Sequence, residues 1–217
     1  MSITKDKLNE AFDLLCKHFG PRHWWPGDSA FEIIVGAILT QNTNWKNVEK
    51  AIANLKRERV LSPEKLLELH PATLASLIKP AGFFRLKTKR LKNFLKYFVE
   101  EYDGSAEAMA ERPLSSLREE LLSINGIGQE TADSILLYAL NKPIFVIDAY
   151  TKRMLLRHDL CFDEAIYSDL QELFTDSLPE DVKLFNEYHA LIVEVGKTYC
   201  RPKNPRCDDC PLSGWNW

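Results

Sequence analysis

One carboxylate and one glycine corner carry the densest chemical information in this chain of 217 residues. Residues 121–148 read LLSINGIGQETADSILLYALNKPIFVID. The apolar spacing ends a helix near Ser123, Gly126-Ile127-Gly128 turns the backbone sharply, and a second helix starts at about Gln129. Glycine reaches φ values closed to other residues and lets bare N–H groups come close to a ligand, so a corner with glycine at both turn positions suits a phosphate. An ordinary corner between two helices would use the same residues. Asp148 follows Pro143 and the apolar run Ile144-Phe145-Val146-Ile147, directly before a helix that begins AYTKRM. A carboxylate at a helix start, partly screened from water, can stabilise a developing positive charge and orient or deprotonate an attacking water. Asp is also a favoured N-cap, and the two roles are compatible.

A second constellation lies at the C-terminus, where Cys200, Cys207 and Cys210 form C-x6-C-x2-C. Clustered thiolates can hold a metal centre, iron–sulfur or zinc, and a metal-free loop is the other reading. A structural disulfide does not suit the cytoplasmic location expected below. Cys16 and Cys161 stand alone and are read as buried packing.

The elements that must position these groups are helices. Apolar residues recur at helical spacing, as in Leu8, Phe12, Leu15 and Phe19, and again in Leu91, Leu95 and Phe98. Start signals agree: Ser29 with Glu32, Ser62-Pro63-Glu64, and Glu180-Asp181. The run Ile144–Ile147 is too short for a strand without a partner and reads as a buried connector. The fold class expected is all-α. At 25.0 kDa and 45% apolar residues the chain can bury one large core or two small ones. No stretch approaches a membrane span, and the N-terminal helix lacks a signal-peptide core, so a cytoplasmic protein without membrane partners is expected. The net charge of -3 gives no global attraction to nucleic acid. Local attraction is available from Lys79, Arg85, Lys87, Lys89, Arg90, Lys92 and Lys96, a stretch without an acidic residue. Alone, such a stripe reads as solvated surface; beside the glycine corner it favours DNA.

The segment Ile124 to Asp133, with Pro143 and Phe145 to Arg153, resembles the helix-hairpin-helix plus Gly/Pro/Asp signature of the endonuclease III superfamily of DNA base-excision glycosylases. The likeness extends over nearly the whole chain. It implies two helical lobes with the active-site cleft between them: a six-helix barrel with the hairpin over 27–141, and a second lobe from 1–26 plus 142–217. It implies Asp148 as the catalytic carboxylate, and Gly126, Gly128, Gln129 and Thr131 as hairpin residues that bind DNA. Gln41 in LTQNT would enter the duplex from one side, with Phe83 and Arg85 of the wedge loop Gly82-Phe83-Phe84-Arg85 on the other. The partner implied is double-stranded DNA with damaged bases, bound by a monomer.

Bifunctional members of this family carry a lysine in the helix after the hairpin, where its amine forms a Schiff base with the sugar. Glu130 stands at that position, and a carboxylate cannot form an imine. Lys142 and Lys152 do not align with that nucleophile. The resemblance therefore implies a monofunctional glycosylase that uses water, without AP-lyase activity. In the plain alternative, Glu130 only complements its helix N-terminus.

Arg22-His23-Trp24-Trp25-Pro26-Gly27 and the following FEIIVGAILTQNTNWKNVEKAI are similar to the 3-methyladenine glycosylase branch of that superfamily. The base pocket implied is Trp24, Trp25, Pro26, Trp45 and Glu130. An N-alkylated purine is cationic while attached to the sugar, so an aromatic wall attracts it by stacking and cation–π interaction. Core packing is the other reading of each tryptophan. The cysteines resemble the iron–sulfur loop of endonuclease III, C-x6-C-x2-C-x5-C, which implies a [4Fe–4S] cluster; its fourth position is Asn216 here. The rival functions are a glycosylase for oxidised pyrimidines or mismatched bases, a non-catalytic helix-hairpin-helix DNA-binding protein, and an iron–sulfur redox protein.

Overall fold

The computed structural model of the chain describes residues 3–22, 24 and 27–215. Among the described residues the regular structure is helical throughout, without a strand. The chain divides into two compact units, Trp25–Lys142 in one and the remainder, up to Trp24 and from Pro143 onward, in the other. Helix α1 (Ile3–Phe19) belongs to the discontinuous unit and turns Leu8, Ala11 and Leu15 fully inward.

The continuous unit runs from α2 to α9. α2 (Ala30–Thr40) is capped by Ser29, whose hydroxyl accepts from Glu32 N at 3.2 Å. α3 (Trp45–Arg57) starts at Asn44, and the short α4 (Pro63–Glu68) and α5 (Pro71–Leu77) start at Ser62 and His70. Proline in each first turn is preset for the helix and needs no N–H there. α6 (Phe84–Tyr102) is the long strut of this unit and buries Leu91, Phe94, Leu95 and Phe98 completely. α7 (Ala106–Ala110) leads to α8 (Leu114–Ser123), and α9 (Gln129–Ser134) runs into a π-helical turn over Ile135–Ala139. α8 and α9 are clamped by a bidentate pair: Arg118 Nε and Nη2 donate to Asp133 at 2.7 and 3.1 Å. Asp133 is fully buried, so removing Arg118 would weaken the compensation of a buried charge.

The discontinuous unit packs α1 and α10 (Ala149–Arg157) on α12 (Val182–Thr198), with α11 (Tyr167–Thr175) between the last two in sequence. The segment Ile144–Ile147 is non-helical and buried, as its composition predicts. Phe145 anchors it, stacked on Phe174 at 3.9 Å between ring centroids and edge-on to Phe185 and Tyr188. Deleting such a buried ring typically costs about 3–5 kcal/mol, which makes Phe145 the fixed point from which the next helix start is hung. Gly196 on α12 faces Tyr150 of α10, and a side chain there would collide with the ring. Cys16 and Cys161 are half-buried rather than buried, a correction to the packing role expected of them.

Candidate functional site

In the continuous unit, the corner between α8 and α9 is built as its glycines require at one position only. Gly126 has φ +100, where a side chain would be strained and would run into Arg90. Gly128 has φ -97 and ψ 177, extended backbone open to any residue, and an added Cβ would meet nothing within 4 Å. The expectation that both glycines supply unusual φ values is therefore corrected: Gly126 makes the turn, and Gly128 leaves the outer surface bare. Gln129 and Glu130 are exposed and Thr131 is buried.

Gln41, directly after α2, is joined to this corner. Its Nε2 donates to the Gly126 carbonyl and to Thr131 Oγ1, both at 3.0 Å, and its Oε1 accepts from Arg90 Nη1. Asn93 adds a bond to the Asn125 carbonyl at 2.9 Å. One side chain thus links α2, α6 and the hairpin.

The loop before α6 presents Phe83, which is 68% exposed and has φ +43, after Gly82 with φ +70. Phe84 is half-buried, and Arg85 is exposed. The basic stretch is not one surface. Lys79, Arg85, Lys89 and Lys96 face solvent, whereas Arg90 holds Gln41 and Lys92 holds the Leu67 and Leu69 carbonyls. Lys87 is buried and donates to the Leu39 carbonyl at 2.8 Å and the Ala81 carbonyl at 2.7 Å. Burial, with the Arg90 charge adding to it, brings its amine down to about 8. Trp45, the first residue of α3, is half-buried and lies on Gly36 of α2, where a Cβ would sit 3.0 Å from the ring.

In the discontinuous unit, Asp148 is the N-cap of α10. Its Oδ1 accepts from Thr151 N at 2.8 Å and Thr151 Oγ1 at 3.0 Å. Its Oδ2 lies 3.5 Å from Nε2 of His189, and only 12% of the Asp148 side chain is exposed. Burial pushes the carboxyl up, but the His189 charge and the two Thr151 bonds outweigh it and hold Asp148 below the usual carboxylate range. Trp24 stacks on His189 with ring centroids 6.4 Å apart and planes at 29°. Trp25 and Pro26, expected beside Trp24, lie outside the described residues.

Sequence reasoning missed His189. Its signal was available: His189 falls with Phe185, Tyr188 and Ile192 on the inward stripe of α12, and a polar residue on such a stripe is the informative exception.

The cysteine loop follows α12. Cys200 is buried, Cys207 exposed and Cys210 half-buried. Arg157 Nη1 lies 3.2 Å from Cys200 Sγ, and Arg153 Nε donates to the Cys200 carbonyl at 2.6 Å. Burial raises the Cys210 thiol, a backbone bond at Leu212 works against it, and the neighbouring Cys200 and Cys207 add to the rise. Among the described residues no three His, Cys, Asp or Glu side chains are drawn together closely enough to hold a metal ion. The donor type fits an iron–sulfur cluster at three positions. Asn216, at the fourth, lies outside the described residues.

Comparison with known proteins accounts for both constellations. A family model for HhH-GPD superfamily base excision DNA repair proteins matches residues 35–180, and one for the iron–sulfur binding domain of endonuclease III matches 200–215. The chain is 50% identical over 209 residues to a protein of Methanocaldococcus jannaschii that carries the provisional name DNA repair glycosylase, covering 95% of this chain and 94% of that one. It is similar to the crystal structure of the Helicobacter pylori 3-methyladenine DNA glycosylase bound to 1,N6-ethenoadenine, with TM-score 0.73, 29% identity, and 89% and 97% of the two chains covered. A trapped covalent complex of endonuclease III with DNA shares the fold, with TM-score 0.84 at 20% identity over 99% of this chain and 96% of that one. With a glycine corner braced by Gln41, a capping aspartate after it and a family match across two thirds of its length, the chain belongs to the HhH-GPD superfamily of base excision DNA repair proteins.

Proposed function

We propose that the chain is a monofunctional DNA glycosylase that hydrolyses the N-glycosylic bond of an alkylated purine, such as 3-methyladenine, in duplex DNA. The observation that carries this reading is the Asp148 carboxylate, largely buried yet held ionised at a helix start. Cleavage of a glycosylic bond develops positive charge on the sugar, and a fixed carboxylate stabilises that charge with little reorganisation. The same carboxylate orients the attacking water. An alkylated purine leaves readily because it is already cationic, so a site with one evident catalytic group suffices. Trp24 supports this choice of substrate by offering an aromatic face one residue layer from Asp148, through His189.

Glu130, exposed in the first turn of α9, supplies no amine for a Schiff base, so base release is uncoupled from strand cleavage. Gly126, Gly128, Gln129 and Thr131 grip the sugar-phosphate backbone, with Gln41 and Phe83 flanking the extruded nucleotide. Trp25, Pro26 and Trp45 complete the proposed pocket. Of these, Trp45 carries the weakest support, since its ring already packs on Gly36. Cys200, Cys207 and Cys210 would hold a [4Fe–4S] cluster, which supplies shape to a loop carrying Arg201, Lys203 and Arg206 and takes no part in hydrolysis. The shared fold and cysteine loop favour one rival, an endonuclease III-type glycosylase for oxidised pyrimidines or mismatches.

The test is a panel of duplexes carrying 3-methyladenine, 7-methylguanine, thymine glycol or a G·T mismatch, scored separately for base release and strand cleavage, with borohydride present in parallel. Release of alkylpurines without a trapped adduct is the expected result. Release from thymine glycol alone, or a borohydride-trapped adduct, would overturn the assignment.

A further inference from the structure

We propose that His189 is a positioning residue: its imidazole pairs with the Asp148 carboxylate and carries the ring of Trp24, so that one side chain sets both the catalytic charge and the aromatic wall. This rests on the reading of Asp148 as catalytic and Trp24 as part of the base pocket.

His189 is 4% exposed, on the stripe of α12 that also buries Phe185, Tyr188 and Ile192. A polar ring in such surroundings costs stability unless it is matched by another polar group. The match is Asp148 Oδ2 at 3.5 Å, a separation at which charge acts more than a well-formed hydrogen bond. The two carboxylate oxygens are thereby divided: Oδ1 serves the helix start through Thr151, and Oδ2 faces the imidazole. On its other sides the imidazole meets the Phe145 ring edge-on and the Trp24 ring inclined at 29°, each with centroids 6.4 Å away. Phe145 itself is stacked on Phe174.

Asp148 is a carboxylate that faces His189, and the ionisable groups on the elements packed around it make contacts of their own. On α1, Asp13 and Cys16 act on Tyr188, whose hydroxyl donates to the Leu8 carbonyl. Arg22 is engaged by Glu187 and Glu194 of α12. On α10, Arg153 is held by the carbonyls of Ala149, Gly196 and Cys200 and lies over the Tyr150 ring. On α11, Tyr167 accepts from Ile147 N at 3.3 Å. His189 therefore counters the burial that pushes the Asp148 carboxyl up. Without it, Asp148 would protonate at a higher pH and the oxocarbenium-like state would lose its counter-charge.

Two variants separate the roles. His189→Phe keeps a flat ring beneath Trp24 and removes the charge; His189→Gln removes the ring as well. With the fastest duplex of the panel, the acid limb of the kcat/KM profile is expected to move to higher pH in both. KM at neutral pH is expected to rise several-fold in His189→Gln and less in His189→Phe. Independently of turnover, the imidazole NMR resonances of His189 are expected to change when Asp148→Asn removes the carboxylate that faces them. Unchanged imidazole resonances, or acid limbs that coincide with wild type while Asp148→Asn is inactive, overturn the role of His189 and leave the glycosylase reading standing. Full activity of Asp148→Asn overturns that reading instead, and the imidazole resonances still decide the pairing.

Discussion

The Gln41 amide donates to the Gly126 carbonyl at 3.0 Å, which ties the residue after α2 to the positive-φ position of the hairpin. Through Thr131 and Arg90 the same side chain also reaches α9 and α6. The residue proposed to probe the duplex and the corner proposed to grip its backbone are therefore one hydrogen-bonded unit.

The two glycines of that corner should respond differently to alanine. Gly126→Ala places a Cβ against Arg90 at φ +100 and is expected to cost about 1–3 kcal/mol in urea unfolding, with DNA affinity lost as Gln41 is displaced. Gly128→Ala has the conformation and the space for a methyl group and is expected to unfold within about 0.5 kcal/mol of wild type. Its DNA affinity should nevertheless fall, because the methyl group covers N–H groups that the phosphate approaches. Equal stabilities for the two variants would contradict this account of the turn.

Lys87 gives a pH signature. Its amine titrates at about 8 in the folded chain and at the ordinary lysine value of 10.5 when unfolded, so the unfolded state binds more protons between those values. Stability then rises with pH across that window, by an amount on the order of 3 kcal/mol at most. A neutral amine keeps two N–H donors, enough for the Leu39 and Ala81 carbonyls. Between pH 7.5 and pH 10 the unfolding free energy of wild type should rise relative to that of Lys87→Met.

Phe83 should be dispensable for folding and needed for DNA. Its ring is 68% exposed, so Phe83→Ala is expected to change unfolding by less than about 0.5 kcal/mol. If the ring fills part of the gap left by an extruded base, the variant should bind damaged duplex and release base at least several-fold more weakly, since unstacking costs a few kcal/mol. Binding and turnover equal to wild type would remove Phe83 from the DNA interface.

Local chemistry was the legible part of the sequence. Ser29, Ser62, Asp148 and Asp181 cap the helices their spacing predicts, because a cap depends on residues three or four apart. Gly126 was legible for the same reason. Tertiary placement was harder to read. Lys87 was grouped with a surface stripe although it falls in register with Leu91, Phe94 and Phe98 on the inward face of α6, and charge obscured a helical period that was present. His189 was hidden in the same way on α12. The contact of Trp45 with Gly36 joins two helices and has no local signature.

The central claim is that Asp148 supplies the catalytic charge, and single-turnover base release by Asp148→Asn tests it most directly. Asn also caps helices well, so the variant should still fold and keep its affinity for damaged duplex. Loss of the carboxylate is expected to slow base release by about 100-fold or more. Release at the wild-type rate, by a variant that folds and binds normally, would contradict the account.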